Sequence, residues 1–274
     1  MSCFPVLSIM RIGLVRFLNA RPLDYGLRQL AHRHPEWQLH EDIPSRLANQ
    51  LLDGRLDVAL ISSIEYLRHK DRLAMIPGLG VCASERADSL FYIRPARSKA
   101  LLDPAHPVRR IYADHGSRST ITLLRLLYRR VNPSEAEIIT IDPAEIIDRI
   151  MADPMQASGG LLIGDAALQF HQKCRPTDWF IEDLATWWNR EYQLPFVFAV
   201  WAYHRDFPAP LEMFQDSLIA GLKHLDAIAA EFSQYPNALE YLSKRLHYQT
   251  AQPEAEALRV FAAECRRFQI LDNS

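Results

Sequence analysis

The stretch Asp114-His115-Gly116-Ser117-Arg118-Ser119-Thr120 runs directly into Ile121-Thr122-Leu123-Leu124-Arg125-Leu126-Leu127-Tyr128. Upstream, Val108 to Ala113 reads as a strand. Downstream, Leu123, Leu124, Leu126 and Leu127, with Ile121 behind them, recur at helical spacing and predict a core-facing amphipathic helix. The junction is glycine, hydroxyl residues and one arginine. Gly116 permits a tight turn, and Ser117, Ser119 or Thr120 can cap the helix. A helix N-terminus carries unpaired N–H groups and the positive end of the helix dipole. The loop is therefore either a plain cap with a solvated arginine or a cradle for a carboxylate or phosphate. In the second case Arg118 adds a fork to the same anion.

Working outward, the same strand-then-helix unit recurs on both sides. Met10 to Val15 reads as a strand, Arg16 to Pro22 as a loop and Leu23 to Arg33 as a helix. Trp37 to Glu41 is β-type, and a helix follows from Ser45, a plausible cap after Pro44, to the stop at Asp53-Gly54. Leu56 to Ile61 is a short buried strand closed by Ser62-Ser63, with a helical turn from Ile64 to Arg68. Met75 to Cys82 and Ser89 to Arg94 are further strands, and Pro95 to Pro107 is a connection. After the opening stretch come a strand at Ile138 to Ile141, a helix at Pro143 to Met151, and a strand at Gly160 to Asp165. Helices at Ala166 to Gln172 and Asp183 to Arg190 follow. Pro195 to Ala202 is a continuous apolar strand, too buried in character for an edge. The remainder is helical: Leu211 to Tyr235, Ala238 to Leu246 and Pro253 to Gln269. This alternation predicts an α/β protein with mainly parallel sheet, in two lobes.

Bulk properties narrow the function. The chain has 274 residues, 49% hydrophobic and 23% charged, with a net charge of −2. That balance gives no electrostatic case for nucleic acid or a membrane surface. Cys3, Cys82, Cys174 and Cys265 are scattered without metal-site spacing, and they read as reduced thiols of a cytoplasmic protein. No membrane span and no export signal is read, and either Met1 or Met10 serves as the start. In open α/β sheets a ligand sits beyond the carboxyl ends of the strands. The candidate loops are then Arg16 to Arg21, Ser62 to Tyr66, Ser84 to Ser89, His115 to Thr120 and Gly164-Asp165.

The order of these motifs resembles a known family. Gly13-x-x-x-Phe17-Leu18-Asn19-Ala20-Arg21-Pro22-Leu23 comes first, then Gly54-Arg55-Leu56-Asp57-Val58-Ala59-Leu60-Ile61-Ser62-Ser63-Ile64-Glu65-Tyr66. Ser117-Arg118-Ser119-Thr120, Leu162-Ile163-Gly164-Asp165-x-Ala167-Leu168 and Leu194-Pro195-Phe196-Val197-Phe198-Ala199-x-Trp201 follow. Together they are similar to the MqnA family, the chorismate dehydratases of the futalosine route to menaquinone. The resemblance runs from about Arg11 to Trp201. It implies a two-lobed type II periplasmic-binding-protein-like fold with a ligand cleft between the lobes. Lobe one would be residues 1–89 plus 196–274, and lobe two residues 90–195, with crossings near Ser89–Tyr92 and Pro195–Phe198. It implies removal of water from chorismate to give 3-[(1-carboxyvinyl)oxy]benzoate, with no metal or organic cofactor.

That chemistry needs donors for two carboxylates, orientation of the ring and help for a leaving hydroxyl. The resemblance puts Asn19 in the catalytic role. An amide is not a base, so its part is hydrogen bonding to substrate or developing charge, and the substrate's own side-chain carboxylate is a candidate proton acceptor. Substrate contact is expected at Ser62, Ser63, Ser89, Ser117, Arg118, Ser119, Thr120, Gly164 and Asp165. Bland roles compete with contact: turn formation for Ser62 and Ser63, a strand hydroxyl for Ser89, a helix cap for Asp165. Glu65 in a first helical turn reads mainly as dipole stabilisation. Arg16 and Arg21 flank Asn19 as possible partners of the second carboxylate.

Three features depart from the family pattern: Ala185 where glycine is usual, Tyr192-Gln193 where Thr-Gly is usual, and the charged loop Ser84 to Asp88 before Ser89. Two other readings compete. One is the sister lyase that makes 1,4-dihydroxy-6-naphthoate, whose Ser-Pro-Cys-Pro-Asn-like opening is absent. The other is a non-catalytic small-anion binding protein, against which the missing export signal argues.

Overall fold

The computed structural model describes residues 9–96, 107–114, 118–131, 136–155, 157–173, 175–208 and 212–271. His115, Gly116 and Ser117 of the junction loop, Cys3, Cys174 and most of the Pro95 to Pro107 connection lie outside that set.

The first series is β1 (Met10–Val15), α1 (Arg21–Leu30), β2 (Trp37–Asp42), α2 (Pro44–Leu52), β3 (Val58–Ser62) and α3 (Ser63–Arg68). Helix α2 begins one residue before the expected Ser45 cap. Ile43 holds the cap position and Pro44 sits in the first turn, where a fixed φ helps and the missing N–H costs nothing. Strand β1 pairs in parallel with both β2 and β3. Strand β4 (Leu73–Ala83) follows in the same sheet, and β5 (Leu90–Pro95) opens a second sheet.

That second sheet repeats the plan with β6 (Arg110–Asp114), α4 (Arg118–Val131), β7 (Glu137–Ile141), α5 (Ile146–Met151), β8 (Ser158–Ile163) and α6 (Asp165–Lys173). Here β6 lies between β7 and β8, parallel to both. Each sheet thus has its first parallel strand in the middle of a three-strand core. Strand β9 (Trp179–Asp183), α7 (Leu184–Tyr192) and β10 (Phe196–His204) return the chain to the first sheet. Helices α8 (Glu212–Lys223), α9 (Leu225–Glu231) and α10 (Ala238–Glu240), a π-helical turn at Tyr241–Arg245, β11 (His247–Gln249) and α11 (Gln252–Arg267) complete it.

Neither sheet is mainly parallel, contrary to expectation. Strand β10 runs antiparallel between β3 and β4, and β5 runs antiparallel between β8 and β9. The antiparallel strand beside each parallel core arrives from the other sheet, so the crossings themselves impose the mixed order. Strands β9 and β11 were also unforeseen. All five residues of β9 are only half-buried and its sequence is Trp- and acid-rich, while β11 is three residues long. Strand β10 is central and almost wholly buried, as its apolar run predicts.

Helix α8 packs tightly on α1. A Cβ at Gly221 would lie 2.0 Å from the Pro22 carbonyl oxygen, so only glycine allows this approach. The buried Ser217 hydroxyl accepts the Leu27 N–H at 3.1 Å and donates to the Leu23 carbonyl at 2.9 Å. No helix among the described residues is long and apolar enough to cross a membrane.

Candidate active site between the two sheets

The carboxyl ends of equivalent strands in the two sheets point at one cleft. Asn19 follows β1, Ser62 ends β3, Thr120 opens the helix after β6, and Gly164 follows β8; all four line the same space. The cleft is narrow: the space a water-sized sphere can enter is about 40 Å³, and the roughly 570 Å³ between its walls includes open solvent. Val15, Phe17, Leu60, Val81, Ile163 and Phe198 supply apolar walls, with Ser89 and Tyr241 as further polar groups. Among the described residues lining it there is no Lys, Arg, Asp or Glu. The described polar groups of the lining are neutral, in a low-dielectric setting where each hydrogen bond would count for more than in water.

Local structure explains each placement. The Leu18–Ala20 turn is a single 3₁₀ turn, closed by the Ala20 N–H on the Phe17 carbonyl at 3.1 Å. It lies between β1 and α1 and carries Asn19 into the cleft. Gly164 adopts φ +57°, a left-handed conformation, and its N–H donates to the Ser89 carbonyl at 2.8 Å. The Ser62 hydroxyl is buried with no protein partner, which suits a group kept for a ligand.

Several expected contact residues face elsewhere. Ser63 donates to the Val197 carbonyl at 2.6 Å, Ser119 lies 3.0 Å from the Ser63 hydroxyl, and the Ile64 N–H donates to Ser119 at 3.0 Å. These groups are buried, and the proton count closes only if Ser119 donates to Ser63. The pair therefore ties α3 to α4 behind the cleft wall. Ser119 and Thr120 also lie inside the first turn of α4, so neither caps it, and Ser117 falls outside the described residues. The guanidinium of Arg118 is held by Glu65 at 2.8 Å and Asn49 at 3.3 Å, not by the cleft. Glu65 is almost fully buried between Arg118 and Arg68, so it is an ion-pair hub in addition to a first-turn acid.

Asp165 neither caps α6 nor lines the cleft. Burial pushes its carboxyl above the usual range, opposed by hydrogen bonds from the Tyr235 hydroxyl and the Leu18 N–H. Arg21 pairs with Glu41 at 3.4 Å and stacks on Phe232, and Arg16 lies over Phe17.

The departures have structural outlets. Gln193 sits at φ +53° as the C-cap of α7, the left-handed position where glycine is usual. Tyr192 instead reaches Glu264 through its hydroxyl at 2.9 Å. In the charged loop, Asp88 at φ +56° pairs with Arg86 and Arg245, while the Ala87 and Asp88 N–H groups donate to Asp183. Asp183 also caps α7 through Ala185 and Thr186. Tyr241, the cleft residue that sequence reasoning missed, comes from the C-terminal helices. No local motif marks it there.

With the geometry in hand, comparison with known proteins is informative. The family model described as menaquinone biosynthesis matches residues 10–267. The chain belongs to this family. It is 27% identical over 271 residues to a chorismate dehydratase of Thermus thermophilus, covering 92% of this chain and 93% of that one. A chorismate dehydratase of Campylobacter jejuni is 26% identical over 193 residues, 69% of this chain and 66% of that one. Among solved structures, an Archaeoglobus fulgidus protein aligns with a TM-score of 0.76 at 14% identity, over 98% of this chain and 100% of its own. The alkanesulfonate-binding protein of Xanthomonas axonopodis pv. citri aligns with a TM-score of 0.63 at 16% identity, over 99% and 96%. This menaquinone-biosynthesis family member therefore has a periplasmic-binding-protein-like fold with its cleft between two α/β lobes.

Proposed function

We propose that this chain is a chorismate dehydratase, eliminating water from chorismate to give 3-[(1-carboxyvinyl)oxy]benzoate in menaquinone biosynthesis. The observation that carries the reading is the convergence of Asn19, Ser62, Ser89, Thr120 and Gly164, from both sheets, on one mostly apolar cleft. Family membership and the two dehydratase relatives support it. In this reading lobe one is residues 1–89 plus 196–274 and lobe two is residues 90–195, and substrate is held between them. The apolar walls exclude water around the ring. Hydroxyls of Ser62, Ser89 and Thr120 take the carboxylates. The Asn19 amide orients the ring and donates to the charge that develops as the ring proton leaves and the neighbouring hydroxyl departs as water. The described lining residues offer donors instead of a base, which favours the substrate's own side-chain carboxylate as proton acceptor. We place the reaction in the cytoplasm, in keeping with the unpaired, buried thiols of Cys82 and Cys265.

The test is direct. Purified protein is mixed with chorismate and the aromatic enolpyruvyl ether is followed by absorbance and mass spectrometry. Turnover is expected without added cofactor. Tight binding without turnover would assign a binding role instead, and no interaction would refute the substrate.

A further inference from the structure

Tyr241 is almost fully buried, its ring lines the cleft, and its hydroxyl lies 2.9 Å from the Ser89 hydroxyl. It reaches that place from the far end of the chain, on the π-helical turn Tyr241–Arg245. The same turn sends Arg245 to Asp88, so adjacent residues of one loop are gripped from one short element. On the other side, Asp183 takes the N–H groups of Ala87 and Asp88, and the Ser89 carbonyl accepts the Gly164 N–H. The backbone around Ser89 is thereby immobilised, and what remains to be decided is where its hydroxyl proton points.

Chemistry decides it. A phenol is a stronger donor and a weaker acceptor than an aliphatic alcohol, and burial holds the Tyr241 phenol protonated, far above its ordinary range. Tyr241 therefore donates and Ser89 accepts. With a lone pair occupied in this way, Ser89 turns its own proton away from Tyr241 and into the cleft. A donor that already accepts a hydrogen bond is also a better donor, because the bonds polarise one another.

We propose that Tyr241 is a positioning residue that commits Ser89 to donate its hydroxyl proton to a carboxylate oxygen of the substrate. The proposal rests on the dicarboxylate reading of the cleft, and its test separates the two. Steady-state kinetics with chorismate are measured for wild type, Tyr241→Phe, Ser89→Ala and the double variant. The same four proteins are titrated calorimetrically with 3-(carboxymethoxy)benzoate, a dicarboxylate without the reacting ring. Tyr241→Phe keeps the ring and removes only the hydroxyl. It is expected to raise KM and the probe Kd roughly tenfold, with a smaller change in kcat and a melting temperature close to wild type. On the Ser89→Ala background it is expected to have no further effect, because nothing is left to orient. An equal fold-change on both backgrounds would overturn the proposal, as would loss of the cooperative melt in Tyr241→Phe. Wild type that binds the probe but leaves chorismate unchanged refutes the dehydratase reading while the binding cycle still judges Tyr241. Wild type that does neither refutes both.

Discussion

Replacing Arg118 by alanine removes a guanidinium that reaches from the start of α4 to Glu65 of α3 at 2.8 Å. Glu65 is 3% exposed, so the loss strands a carboxylate oxygen where water has little access. A hydrogen bond between charged partners contributes about 1.5–3 kcal/mol. Two features reduce the loss here. Arg68 remains on the other oxygen at 2.5 Å, and the Arg118 side chain is 34% exposed, so solvent can fill part of the space it leaves. The expected net cost is about 1–2 kcal/mol, a fall in Tm of roughly 2–6 °C for a chain of this size. Guanidinium chloride unfolding and thermal melts measure it. Because the guanidinium sits behind the cleft wall, KM for chorismate should change by less than about threefold. Unchanged stability with a KM raised tenfold or more would refute this reasoning. It would mean that Arg118 leaves Glu65 to take a substrate carboxylate.

Three other outcomes are expected. Asn19→Ala should lower kcat roughly a hundredfold with a smaller change in KM, as loss of a charge-stabilising donor does; unchanged kcat would remove Asn19 from the chemistry. Ser62→Ala should raise KM several-fold while Tm holds or rises, since it deletes a buried hydroxyl with no protein partner; an unchanged KM would mean Ser62 does not meet substrate. Asp24 is fully buried beside Arg28, and desolvation raises its carboxyl to about 6 from 3.8 in spite of that partner. A raised carboxyl contributes fully below about pH 3.8 and loses that contribution as pH climbs through about 6. The stability of wild type relative to Asp24→Asn should therefore fall across that window, by at most about 3 kcal/mol at about 1.36 kcal/mol per pH unit. Denaturant unfolding at stepped pH measures it, and a flat difference would mean Arg28 keeps Asp24 ionised throughout.

Much of the site was legible because strand ends are legible. Asn19, Ser62 and Gly164 sit at or just after the ends of apolar β-type runs, and such ends in parallel cores share one face. Thr120 lies in the first turn of α4, and Ser89 instead precedes the antiparallel β5. The direction of a side chain at a helix start is another matter. Ser62 and Ser63 are neighbours in sequence, yet one lines the cleft and the other is consumed by Val197 and Ser119. Which of the two faces the ligand depends on how α4 docks against α3, and no local pattern encodes that. The same holds for Arg118, drawn away by a carboxylate 53 positions earlier in the chain.

From the sequence alone came the β-α alternation, the buried character of Pro195–Ala202 and the ordered motifs that mark the family, because hydrophobic period and turn chemistry are local properties. Tertiary structure decided the rest. Each sheet places its first parallel strand centrally and receives an antiparallel strand from the other, a plan repeated in topology without any sequence repeat. The stretch from Asp114 to Tyr128 reads as strand, turn and helix by itself. The partners of Arg118 and Ser119 within it were set only when packing brought Glu65, Asn49 and Ser63 up against α4. Tyr241 reached Ser89 across 152 positions for the same reason: packing, not adjacency, chooses the partners of a buried polar group.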